Sequence, residues 1–190
     1  EWISAFVDWP TAQLHVAEKM AAGEGIVLDG KGDEALYAGL TSITFDNVNG
    51  AKMVVTGRKL STGIIVLNTI THTRPATDVI QGSANDWWGL LDVEYRMGGN
   101  YTTQMAASVL NNGDWDQYCA SKAVTVDNGN GTYTTTFETF LAFTTEYGGM
   151  DYDGEVQVCI GGVFETGFTW VRGCGPDTPI YATENGFILK

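Results

Sequence analysis

The chain has 190 residues, of which 44% are apolar and 12% aromatic. That is enough for one domain with a sizeable core, and too rich in core-forming side chains for a disordered chain. Ten basic residues against 23 acidic ones leave a formal net charge of −13. Such a surface repels phosphate backbones and anionic lipid, which excludes nucleic acid and membrane surfaces as direct partners. No apolar run approaches the ~20 residues that a membrane-crossing helix needs.

The sequence starts at Glu1 with no basic and apolar leader pattern, so the expectation is a trimmed chain, with an export signal removed by cleavage as one route. An extracellular or virion-surface location follows from that reading. Thr11 to Ala22 reads as a short helix or a strand, and Pro10 at its entrance favours the helix. Asn49-Gly50 is a favoured two-residue hairpin turn, placing Ile43 opposite Thr56 and Phe45 opposite Val54. Ile64 to Leu67 is a continuous apolar run, the pattern of a strand buried on both faces. Leu91, Val93, Tyr95 and Met97 alternate with Asp92, Glu94 and Arg96. Tyr101 to Leu110 is again ambiguous between helix and strand. Asn128 to Gly131 is a second strong turn, entered from Val124 and Val126. The strand leaving it alternates strictly, with Tyr133, Thr135, Phe137, Thr139, Leu141 and Phe143 on one face. Thr134, Thr136 and Glu138 fall on the other, the pattern of a half-buried antiparallel strand. Val156, Val158 and Ile160 alternate with Glu155, Gln157 and Cys159.

With 24 glycines and frequent turns, these elements predict an all-β fold. An antiparallel β-sandwich or jelly roll is favoured over a closed barrel, with at most one or two short helices. No repeat, linker or low-complexity tract divides the chain, so 1–190 reads as a single domain.

The cysteines are Cys119, Cys159 and Cys174, an odd number that permits one intrachain disulfide at most. If Thr166-Gly167 is a hairpin loop, Val163 meets Trp170 and Cys159 meets Cys174. Directly opposed Cα atoms lie ~4.5–5.5 Å apart, inside the disulfide range. The alternative is three buried thiols. With no CxxC and only His15 and His72 as further soft ligands, no zinc or iron–sulfur site is expected.

Three loops are dense in hard oxygen ligands: Asp29 to Glu34, the stretch holding Asp114 and Asp116, and the stretch holding Asp151 and Asp153. Calcium is the candidate cofactor there, against the simpler reading that Asp, Asn and Gly are turn residues. Trp87, Trp88 and Trp115 stand among Asp and Asn side chains. A flat ring with hydrogen-bonding neighbours suits a sugar, while packing in a core or interface explains the same residues.

No GxSxG elbow or phosphate-cradling loop occurs. The carboxylates offer a stronger enzymatic case. Glu94 lies in Leu91 to Tyr95 and Glu184 closes Ile180 to Glu184. These two segments resemble the two catalytic strands of family 11 xylanases, small jelly rolls that use two glutamates. The resemblance implies Glu94 as nucleophile and Glu184 as general acid. The Pro-Ser-Ile thumb signature of that family is absent.

The reading preferred from the sequence is non-catalytic: a self-assembling subunit of a coat, tail or extracellular filament, whose partners are copies of itself. Its terminal residues Phe187 to Leu189 either pair within their own sheet or pass to a neighbour. The alternatives are a secreted carbohydrate-binding module or lectin that uses calcium and binds glycans, and a jelly-roll glycoside hydrolase.

Overall fold

The computed structural model describes residues 17–73, 91–97, 100–102, 119–143, 156–164, 167–172 and 180–190. A helical segment α1 (17–23) precedes a single 3-10 turn at Ala35–Tyr37. Among the described residues eleven strands follow: β1 (Ile43–Val48), β2 (Ala51–Lys59), β3 (Gly63–His72), β4 (Leu91–Met97), β5 (Asn100–Thr102), β6 (Cys119–Asp127), β7 (Tyr133–Ala142), β8 (Val156–Phe164), β9 (Gly167–Arg172), β10 (Ile180–Thr183) and β11 (Gly186–Leu189). They form two sheets, antiparallel throughout. Sheet A runs β1-β2-β3-β7-β6, and one of the two sheets curls as a half-barrel. Sheet B runs β11-β10-β8-β4-β5, with β9 also paired to β8. This is the all-β sandwich that the alternation predicts.

The inward residues meet in one core. Met53, Val55, Ile64, Val66, Phe137 and Leu141 of sheet A pack against Val93, Tyr95, Val156, Val158, Ile160 and Ile180 of sheet B. Tyr95 is fully buried and ties the layers together. Its hydroxyl donates to the Ala142 carbonyl at 3.1 Å, and its ring meets Phe143 edge-on at 5.7 Å. That geometry suits the ring quadrupole and gives the buried phenol a partner.

Register departs from the simplest hairpin arithmetic in two places. At the Asn49-Gly50 turn, Val48 faces Ala51, but a bulge between Phe45 and Val48 then shifts the pairing, so that Ile43 faces Val55 and Phe45 faces Met53. Without the extra residue Ile43 and Phe45 would oppose Thr56 and Val54, on the outer face of the sheet. The bulge returns both apolar side chains to the core. In the β8–β9 hairpin, Gly167 pairs with Phe164 and therefore stands in the strand, not in the loop. Val163 faces Phe168, and Trp170 faces Gly161. A further shift between Ile160 and Gly161 sets Ile160 opposite Arg172, as the flexible Gly161-Gly162 pair allows.

The ambiguous N-terminal segment is helical over its described part, and its end shows why. Gly25 N–H bonds to the Ala22 carbonyl and Ile26 N–H to the Ala21 carbonyl, both at 3.0 Å. Gly25 sits at φ +80. This left-handed glycine cap stops the helix and turns Ile26 back onto Ala21, and both residues are buried.

α1 and the segment after it lie on the outer face of sheet A. Ala17, Ala21 and Ile26 form a second core there with Ile65, Ala120, Phe140 and Ala142. The strand expected to be half-buried, β7, is therefore buried on both faces from Phe137 onward. The sequence pattern of β7 alone shows a single buried face, because the cover comes from residues more than a hundred positions upstream.

Candidate functional site

The cover over sheet A continues as an extended strap, residues 26–37, and crosses β7 at Glu138. On the outer face Glu138 is flanked by Leu67 of β3 and Lys122 of β6. Its exposure is 0%. An unpaired carboxylate there would be prohibitively costly, so its partners define the site. They come from the strap. Oε2 accepts the backbone N–H groups of Asp29 and Gly30, each at 3.0 Å. Oε1 accepts the Tyr37 hydroxyl at 2.9 Å. The Glu34 carboxyl comes up beside it, its Oε2 buried and without a hydrogen-bond partner. Oxygens of Asp29, Glu34 and Glu138 lie within 4.8 Å of one another.

Glycine makes this approach possible. Gly32 has φ +67, and a Cβ on it would come within 2.6 Å of the Leu67 side chain. A second carboxylate ties the start of the strap to the sheet. Glu24 Oε1 accepts the Thr62 N–H and hydroxyl, each at 2.7 Å, and the Ser61 hydroxyl at 2.5 Å. Desolvation pushes the Glu24 carboxyl up, but the Ser61 and Thr62 hydrogen bonds outweigh it and hold the group below its ordinary range.

The electrostatics of the cluster follow from its closeness. Burial pushes the Glu34 carboxyl up to about 7, helped by the closeness of the Glu138 carboxylate and by the negative charges of Glu138 and Asp29. Burial, and then the Glu138 charge, hold Tyr37 as a neutral phenol that donates its proton. Asp29 behaves oppositely. Its side chain takes the Lys31 ammonium at 2.6 Å and the Lys31 N–H at 2.8 Å, which holds its carboxyl below the usual range and raises the Lys31 ammonium.

These carboxylates fit a shared proton better than a metal ion. A hard cation needs oxygen lone pairs facing it. Here both Glu138 oxygens receive N–H or O–H donors, and both Asp29 oxygens are engaged by Lys31. Of the oxygens in this cluster, Glu34 Oε2 alone is buried without a partner, and a proton held between the two carboxyl groups would satisfy it.

Trp87, Trp88, Trp115, Asp114, Asp116, Asp151, Asp153 and Cys174 lie outside the described residues. Cys159 is disulfide-bonded and Cys119 is a buried free thiol. Glu94 stands opposite Cys159 on β4, whereas Glu184 is exposed in the β10–β11 turn, beyond the Ala182–Val156 pair. Their backbones are thus roughly 15 Å apart along the strand direction and two strands apart sideways. His72 is buried, bonded to the Thr135 hydroxyl at 2.7 Å and stacked on Tyr133. The acidic loop Asp29 to Glu34 does reach a cluster, but Glu138 reads from sequence as a solvent-facing residue. The signal that finds it is the outer-face series Glu138, Phe140, Ala142, whose last two members are apolar and require a cover.

Comparison with protein-family models, with curated proteins and with solved structures finds no match.

Proposed function

We propose that this chain is a self-associating β-sandwich subunit whose copies meet through the half of the outer face of sheet A that the described part of the cover leaves exposed. The observation that carries this reading is the charge pattern of that half. Two rows cross four strands in register: Val54, Thr69, Thr136 and Val124, then Lys52, Thr71, Thr134 and Val126. Of these eight side chains Lys52 alone is charged, in a chain of net charge −13. Val124 and Val126 are 38% and 56% exposed. Two acidic copies repel wherever carboxylates face one another, so rows without carboxylates are where they approach at least electrostatic cost, and Asp46 at the edge of the second row is offset by Lys52 at 3.9 Å. Thr and Val on a pleated surface then pack well against a like surface.

β11 pairs with β10 of its own chain, so the reading uses a face and not a donated terminal strand. The disulfide at Cys159 suits an oxidising, extracellular-type compartment. Sedimentation velocity over a concentration series tests the proposal. The wild type is expected to associate, and Val124→Lys with Thr136→Lys to return it to monomer with an unchanged circular dichroism spectrum. A wild type that stays monomeric at every concentration sinks it.

Glycan binding is a second reading, favoured by Trp170. This ring is 42% exposed on β9, and its opposite neighbour Gly161 has no side chain to cover it. A glycan array compared between the wild type and Trp170→Ala decides it, and absence of any wild-type signal removes it.

A further inference from the structure

We propose that the strap is an acid-locked cover: a proton shared between Glu34 and Glu138 holds residues 29–37 on sheet A, and its loss lets that segment lift away. The inference stands on the clamp alone and is independent of how copies of the chain meet.

The hydrogen bonds that satisfy Glu138 come from the strap, through the Asp29 and Gly30 amides and the Tyr37 hydroxyl, and the strap also sets the Glu34 carboxyl beside it. If the strap lifts, water takes their place, and an ionised carboxylate is well solvated there. The clamp closes only while one of the two glutamates carries a proton, because two carboxylates this close repel when both are ionised. The surrounding charges do not remove the conflict. The strap contributes Asp29, Asp33 and Lys31, and the Lys31 ammonium is engaged by Asp29 at 2.6 Å. β6 contributes Lys122 beside Glu138, β2 contributes Arg58 at the margin of the covered face, and β3 presents Leu67.

Little else secures the segment. The turn at Ala35–Tyr37 has no buried residue and no side-chain cap. Its apolar hold on the sheet comes from partly buried Leu36 and Tyr37, from the seat of Gly32 on Leu67 and from that of Gly30 against Ala123 and Val124. A segment with so few buried apolar contacts opens locally before the fold does.

The direction follows from linkage. The closed state binds the Glu34 proton more tightly than the open state, whose carboxyl has its ordinary value of 4.5. The lock is complete below that value. It weakens as pH rises through about 7, and above that opening no longer depends on pH.

Amide hydrogen exchange, corrected for intrinsic rates, tests this on the Asp29 and Gly30 amides. Their protection is expected to fall by up to roughly tenfold per pH unit between about pH 5 and pH 7, while the β3 and β7 ladder amides stay protected. Glu34→Gln puts a permanent donor against Glu138 and should flatten the profile at its acid level. Glu138→Gln should flatten it from the other side, which covers the case of one variant failing to fold. Equal wild-type protection at both pH values, or an unchanged slope in both variants, overturns the proposal. Calcium alone restoring full protection at pH 8 also overturns it, in favour of a cation site.

Discussion

Removing the Glu138 carboxylate is the sharpest test of how the strap is held. Glu138→Ala leaves the Asp29 and Gly30 amides and the Tyr37 hydroxyl without an acceptor, beneath a cover from which water is excluded. A hydrogen bond to a charged group contributes about 1.5–3 kcal/mol, so three of them set a ceiling of roughly 9. The actual loss is smaller, because the strap can detach and hydrate its donors, which caps the cost at the free energy of docking it. We expect ~3–5 kcal/mol for Glu138→Ala below neutral pH, and ~1 kcal/mol for Glu138→Gln, whose carbonyl keeps the two amide bonds while its NH2 group faces a phenol able to accept. Urea unfolding at pH 5.5 measures both. The slope separates a weakened native state from one whose strap has already detached, since a detached strap exposes surface before unfolding and lowers the slope. The reasoning fails if Glu138→Ala lies within ~1 kcal/mol of the wild type, or if Gln costs as much as Ala at this pH.

Further outcomes follow from other contacts. A Cβ at Gly57 would stand 2.2 Å from the Ile65 carbonyl oxygen and 2.5 Å from the Phe187 ring, so Gly57→Ala is expected to cost about 1–3 kcal/mol by overpacking, read as a lower melting temperature. Tyr95→Phe leaves the ring in place but removes its bond to Ala142, and a loss of about 0.5–1.5 kcal/mol in urea unfolding is expected. The Glu24 carboxyl is held below its ordinary value of 4.5 by Ser61 and Thr62, against an opposing desolvation. Its stabilisation is present above that value and is lost as pH falls, so Glu24→Gln should be less stable than the wild type near neutrality and closest to it in acid. Cys119 is a buried free thiol, and without reductant a thiol reagent should react with it only after the chain unfolds.

How much of this was legible in the sequence depends on how local each signal was. The Asn49-Gly50 turn, the alternation from Tyr133 to Phe143 and the Ile64 to Leu67 run all write their structure within a dozen residues. They yielded the sandwich and its buried faces, including the complete burial of Val93, Tyr95, Val156, Val158 and Ile160. Register was less legible, because a bulge costs nothing visible in the sequence. The slip that returns Ile43 and Phe45 to the core can be anticipated only by asking which face Val54 and Thr56 occupy.

Glu138 was the least legible of all, for a related reason. A strand pattern says which residues share a face, but not whether that face meets water. For β7 the answer is set by α1 and the strap, which reach it through Phe140, Ala142 and three hydrogen bonds to a single carboxylate. The same separation explains why an acidic chain retains a carboxylate where an apolar residue would pack at less cost. Leucine at 138 would bury well against Leu67, yet it would leave two strap amides and a phenol unsatisfied and would give Glu34 no partner for its proton. The glutamate therefore fixes where the strap docks and ties that docking to pH, and neither role is visible in the strand that carries it.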